Sequence, residues 1–164
     1  MANVTVIENL SSANLSSDTT SWEQLATAVL RAEGAPENAE ITLIFVDEAH
    51  ISELNKQHMG KFAPTDVLAF PIDEDWRDKS ASNKPSPPTL VGPTLVGDIV
   101  ICPSQCQDTD GIAMRVVHGV LHLCGYDHAE EQERSQMFSL QQKYLKQFAT
   151  FNLPLCKQAA HSHN

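Results

Sequence analysis

No apolar run in the chain approaches the roughly 20 residues that a membrane span requires. The opening Met1-Ala2-Asn3-Val4-Thr5 has neither the basic flank nor the apolar stretch of a secretion signal, so the sequence predicts a cytoplasmic protein. None of the cysteines Cys102, Cys106, Cys124 and Cys156 forms a Cys-x-x-Cys pair, which argues against a thiolate zinc ribbon. Without a secretion signal, their thiols are expected to be reduced. Cations are scarce: 11 Lys and Arg stand against 21 Asp and Glu, a net charge of −10. That balance argues against broad, sequence-blind adhesion to nucleic acid, which depends on many cations neutralising phosphates. A nucleic-acid substrate would have to be met by a local basic patch or a metal ion, since local field and global charge can differ in sign.

The 164 residues, 41% of them apolar, suit a single domain with a real core. Val4 to Leu10 reads as a strand, and a Ser-rich stretch follows. Ser21 then looks like the cap of a helix that repeats apolar residues from Trp22 to Leu30 and stops at Gly34 and Pro36. Ile41 to Val46 reads as a strand, Ala49 to His58 as a helix ended by Gly60, and Asp66 to Pro71 as a strand. Asp73 to Pro93 is rich in Asp, Ser, Lys and Pro and reads as a long mobile loop. It holds one copy of a short tandem repeat, Thr89-Leu90-Val91-Gly92; the second is Thr94-Leu95-Val96-Gly97. Val96 to Cys102 reads as a strand, and Ile112 to Cys124 and Ala129 to Phe148 as helices. On the last helix Met137, Leu140, Tyr144, Leu145 and Phe148 form the expected buried stripe. The order implies α/β or α+β architecture with a sheet of about four strands. The domain is expected to span residues 1–152, with 153–164 a polar, disordered tail.

The chemistry concentrates in His118-Gly119-Val120-Leu121-His122-Leu123-Cys124-Gly125-Tyr126-Asp127-His128. Residues four apart share a helix face, so His118 and His122 can converge on one ion. Gly125 suits a left-handed helix end, after which the chain can turn back and His128 can supply a third nitrogen. Three histidines leave the fourth tetrahedral position for water, the pattern of a catalytic zinc site. Cys124, inside the motif, reads as a small apolar residue rather than a ligand. Asp127 reads equally well as a carboxylate orienting a histidine and as a turn residue before the last helix.

The same spacing resembles the ligand frame of metzincin peptidases. Those enzymes place Glu directly after the first histidine as the general base. Here that position is Gly119, which cannot accept a proton, and peptidase chemistry of that kind is disfavoured.

Residues 118–128 resemble, at every fixed position, the signature His-Gly-x-Leu-His-Leu-x-Gly-Tyr-Asp-His of the YbeY family of bacterial endoribonucleases. Leu54-Asn55, Gly60-Lys61 and Pro64-Thr65-Asp66-Val67-Leu68-Ala69-Phe70-Pro71 are similar to a second family block. Gly97-Asp98-Ile99-Val100-Ile101-Cys102 is similar to a third. The resemblance implies an α+β fold with a small mixed four-stranded sheet packed with helices. It implies a metal site, usually zinc, one ion per chain, at His118, His122 and His128 on the penultimate helix and the following turn. It implies cleavage of single-stranded RNA rather than DNA, in maturation of the 3′ end of small-subunit ribosomal RNA and in ribosome quality control. The small ribosomal subunit is the implied partner, and no membrane is.

Three departures stand out. The family's Leu-Asn-x-x-Tyr-Arg segment reads His58-Met59 where Tyr-Arg is usual, so the arginine implied to hold phosphate is missing. Asp66 and Ala69 replace the family's Asn and Ser. The segment before the histidine helix is shorter than usual. His118 and Lys61 are the expected catalytic residues; Lys56 and Arg115 are further candidates for phosphate contact, and a protonated His58 could partly replace the arginine. The attacking group can be water or a ribose 2′-hydroxyl. Two other readings stay open: a metal-binding ribosome-associated factor without catalysis, and a metal hydrolase of a non-RNA substrate.

Overall fold

The computed structural model describes residues 3–9, 19–60, 65–72, 94–106, 108–126 and 130–148. The expected loop 73–93, the tail 153–164, Lys61, Asp127 and His128 lie outside them.

The described elements run β1 (Asn3–Asn9), α1 (Thr19–Ala32), β2 (Ala39–Val46), α2 (Glu48–Met59), β3 (Val67–Pro71), β4 (Thr94–Ile101), a 3-10 turn (Pro103–Gln105), α3 (Thr109–Leu123) and α4 (Glu131–Phe148). The strands form one mixed sheet in the order β1-β2-β4-β3, with β1, β2 and β4 parallel and β3 antiparallel to β4. The fold is α+β, as the family resemblance implies.

Strand periodicity sorts the side chains onto two faces. From β2, Ala39, Ile41, Leu43 and Phe45 join one core with Trp22 and Leu25 of α1, Val116 and Val120 of α3, and Met137 and Tyr144 of α4. Val46, with Val100 and Cys102, faces the other way and packs with Ile51 of α2. Thus α1, α3 and α4 cover one face and α2 the other. Register slips where Ile41 pairs with Gly97 while Glu40 pairs with Leu95, a bulge at the sequence Val96-Gly97. A side chain at Gly97 would meet the Phe70 carbonyl oxygen at 2.5 Å, so the strands close around a missing Cβ. The second copy of the tandem repeat is therefore the start of β4; the first lies outside the described residues.

Two helices start about one turn earlier than expected. Ser21 is not a cap: α1 begins at Thr19, and Ser21 sits inside it, 3% exposed. Helix α3 begins at Thr109, three residues before Ile112, because Asp108 caps it by accepting the Gly111 N–H at 2.8 Å. The α4 stripe is present at Met137 and Tyr144, with Leu140 and Leu145 half-buried; the Phe148 side chain lies outside the described set.

Candidate metal centre and its cleft

The end of α3 builds the site. Gly125, at φ 103°, occupies the left-handed region that an L side chain avoids. Its N–H reaches the His122 carbonyl at 3.0 Å, and the Tyr126 N–H reaches the Leu121 carbonyl at 3.0 Å. This paired closure is a Schellman motif, which satisfies helix-end carbonyls and reverses the chain. The reversal carries the Tyr126 carbonyl back under the helix, where it accepts the Nδ1–H of His122 at 3.0 Å.

His118 is fixed from another element. Its Nδ1 lies 2.6 Å from Oε1 of Gln141, on α4. Since both Nδ1 atoms face oxygen acceptors, both rings carry the proton there, and Nε2 is the lone-pair nitrogen on each. The two Nε2 atoms stand 3.1 Å apart, with ring centroids at 4.5 Å and planes at 80°. Two lone pairs at that distance repel unless a proton or cation lies between them. Nitrogens each about 2.0–2.1 Å from one tetrahedral ion stand roughly 3.3 Å apart. A shared cation therefore fits with an opening of a few tenths of an ångström. Among the described residues no three His, Cys, Asp or Glu side chains converge as a metal cage; His128 lies outside them.

Gly119, next to His118, is buried against the sheet. A Cβ there would stand 2.6 Å from Cγ2 of Ile99 on β4. Space as well as chemistry thus excludes the peptidase glutamate at this position.

Beside His118 opens a cleft of about 330 Å³ between α3 and α4, with Asp66 and Arg115 on its wall. Arg115 Nε donates to Asp66 Oδ2 at 2.8 Å, and its Nη1 reaches the Gly111 carbonyl at 3.4 Å. Of the phosphate candidates, Arg115 is thus placed at the site and is tied to a carboxylate there. Lys56 and His58 belong to α2, on the opposite face of the sheet, where the His58 ring packs on Phe70 at 4.5 Å. Met59 ends the same helix. Cys124 is the C-cap of α3, half-buried.

A further pair of contacts backs the turn. Tyr144 on α4 donates its hydroxyl to Glu33 Oε2, after α1, and Tyr126 also hydrogen-bonds Glu33. Burial, then the hydrogen bond and charge of Glu33, push the Tyr126 phenol up to about 12; the same causes raise Tyr144. One carboxylate thereby ties α1, the α3 turn and α4 together. Sequence reading missed Gln141 and Glu33. The signal for Gln141 was present: it falls between Met137 and Tyr144 at helical spacing, a polar residue on an otherwise apolar stripe, and it is 7% exposed.

The family described as Endoribonuclease YbeY matches residues 6–149. An Endoribonuclease YbeY of Salinispora tropica is 39% identical over 150 residues, covering 85% of this chain and 92% of that protein. Its counterpart in Rhodococcus jostii is 40% identical over 117 residues, covering 66% of this chain and 62% of its own length. The solution structure of TM1509 from Thermotoga maritima superposes with a TM-score of 0.54 at 25% identity, covering 91% of each chain. With the α+β fold and the histidine helix in the same chain, these matches establish that it belongs to the YbeY endoribonuclease family.

Proposed function

We propose that the chain is a cytoplasmic, metal-dependent endoribonuclease cutting single-stranded RNA, in maturation of the small-subunit ribosomal RNA 3′ end and in ribosome quality control. His118, His122 and His128 hold one zinc ion per chain in this reading, and the small ribosomal subunit is the partner. The functional domain is residues 1–152. The observation that carries it is the His118–His122 pair, whose Nδ1 atoms are occupied by oxygens and whose Nε2 atoms face one another at 3.1 Å.

A bound zinc ion would polarise a phosphoryl oxygen and lower the pKa of a water in its open position. The chain's own residues do the positioning. Gln141 and the Tyr126 carbonyl hold both imidazoles in the tautomer that offers Nε2. Arg115, half-buried beside His118, supplies positive charge where the phosphodiester would lie. Lys61 is proposed as a second phosphate contact at the site. The family names of the relatives support RNA as substrate, and no helix among the described residues is long and apolar enough to cross a membrane.

The test is elemental analysis of purified protein together with cleavage of a single-stranded ribosomal RNA fragment, with and without chelator. One zinc per chain and chelator-sensitive cutting, both lost in His118→Ala, are expected. Protein without stoichiometric transition metal would overturn the site; metal-loaded protein that leaves the RNA intact would overturn the activity.

A further inference from the structure

The wall of the cleft contributed by α4 carries an arrangement that the metal reading does not use. Arg134, Phe138 and Gln141 all line it, and spacings of four and three residues put them on one helix face. Gln141 is occupied with His118. Phe138 is 59% exposed, a large aromatic surface left in water at the mouth of the cleft. Arg134 lies one turn before it, and no carboxylate among the described residues lies within salt-bridge distance of its guanidinium. In a chain with only 11 Lys and Arg, two of them, Arg115 and Arg134, line this one cleft. Arg115 is partly neutralised by Asp66, and Arg134 adds a second cation to the cleft wall.

We propose that Arg134 and Phe138 form a nucleotide subsite in which Phe138 stacks one unpaired base of single-stranded RNA and Arg134 holds the adjoining phosphate, aligning the strand past His118. The proposal rests on the reading of the chain as a single-strand ribonuclease. An aromatic face can take a base only when that base is unstacked from its neighbours, so the subsite itself selects against duplex. A volume of about 330 Å³ is at the small end for ligand sites and suits one nucleotide. The cation and the ring serve different parts of the ligand: the phosphate contact is blind to sequence, and stacking accepts any base. The result is a strand-selective, sequence-tolerant grip. It also supplies positive charge on the cleft wall opposite α3.

The experiment measures binding of a short single-stranded RNA carrying one 2-aminopurine to the full-length protein in chelator, with the RNA checked intact by gel. Metal-loaded protein is assayed for cleavage in parallel. Phe138→Ala is expected to abolish the change in 2-aminopurine fluorescence that accompanies transfer of the base from its neighbours to the ring and to weaken binding roughly 5- to 150-fold, while Phe138→Tyr retains both. Arg134→Ala is expected to lower the slope of log affinity against log salt by about one, while Arg134→Lys keeps it. The same RNA annealed to its complement should bind no better to wild type than to Phe138→Ala. Cleavage by Phe138→Ala should show a raised KM with zinc content unchanged. Wild type that binds and cuts RNA, with Phe138→Ala equal to it in affinity, fluorescence change and KM, overturns the subsite and leaves the nuclease reading standing. Wild type that neither binds nor cuts single-stranded RNA overturns both.

Discussion

Gln141 Oε1 lies 2.6 Å from Nδ1 of His118 and reaches it from a different helix. An amide on the buried stripe of α4 therefore decides which nitrogen of a histidine on α3 faces His122. Gln141→Leu keeps the volume and loses the acceptor. Zinc affinity should fall about 10- to 100-fold, read by competition with a chromophoric chelator, with circular dichroism unchanged. Unaltered affinity would show that the histidine needs no such partner.

Glu33 accepts from two tyrosines, one on α4 and one at the α3 turn. Glu33→Ala leaves those hydroxyls without their acceptor, and denaturant unfolding should show a loss of about 1–3 kcal/mol. Because Tyr126 also presents its carbonyl to His122, zinc affinity should fall in the same variant.

Alkaline stability follows from the same tyrosines and from Cys106. Burial raises the Cys106 thiol from 9.0 to about 11, and the Tyr126 phenol stands near 12 against 10.0 in an unfolded chain. Groups whose folded pKa is raised contribute fully below the unfolded value and lose that contribution as pH climbs through the folded one. Melting temperature should thus hold to pH 9, fall between pH 9 and 11 as Cys106 titrates, and continue falling to about pH 12. Tyr126→Phe should flatten the upper part of that decline.

Gly119 allows α3 to sit against Ile99 with no intervening methyl. Gly119→Ala gains helix propensity, but the added carbon meets Ile99 at 2.6 Å. Overpacking should win, costing about 1–3 kcal/mol in urea unfolding.

Asp66 holds Arg115 at 2.8 Å, with the two side chains 35% and 21% exposed. Asp66→Asn removes the carboxylate charge and releases that of Arg115 toward the cleft. RNA affinity should rise at low salt, and its salt slope should steepen by about one. An unchanged slope would show that Arg115 does not face the substrate.

The fold was legible wherever a local signal sufficed. Helical spacing from Trp22 to Leu30, the β-rich run Ile41–Val46 and the stop at Gly60 each marked its element. The helix start at Asp108 was missed because the apolar rhythm begins only at Ile112, whereas the cap acts on backbone N–H groups. Ser21 misled for the converse reason, a capping pattern lying one turn inside an established helix. The closeness of the His118 and His122 rings was legible from their spacing of four. Gln141 and Glu33 were not, because their partners lie 23 residues away in one case and 111 in the other, and are brought near only by helix docking. Arg115 was readable as a cation but not as one matched to Asp66, 49 residues earlier.

The two histidines of α3 are steadied by different parts of the chain. His122 is held by its own helix's end, through a bond spanning four residues, and His118 by α4. A growing chain that has reached Tyr126 already contains everything that orients His122. His118 acquires its partner only when residue 141 has been made and α4 has docked. The two imidazoles are thus oriented at different lengths of the growing chain, that of His118 no earlier than the synthesis of residue 141.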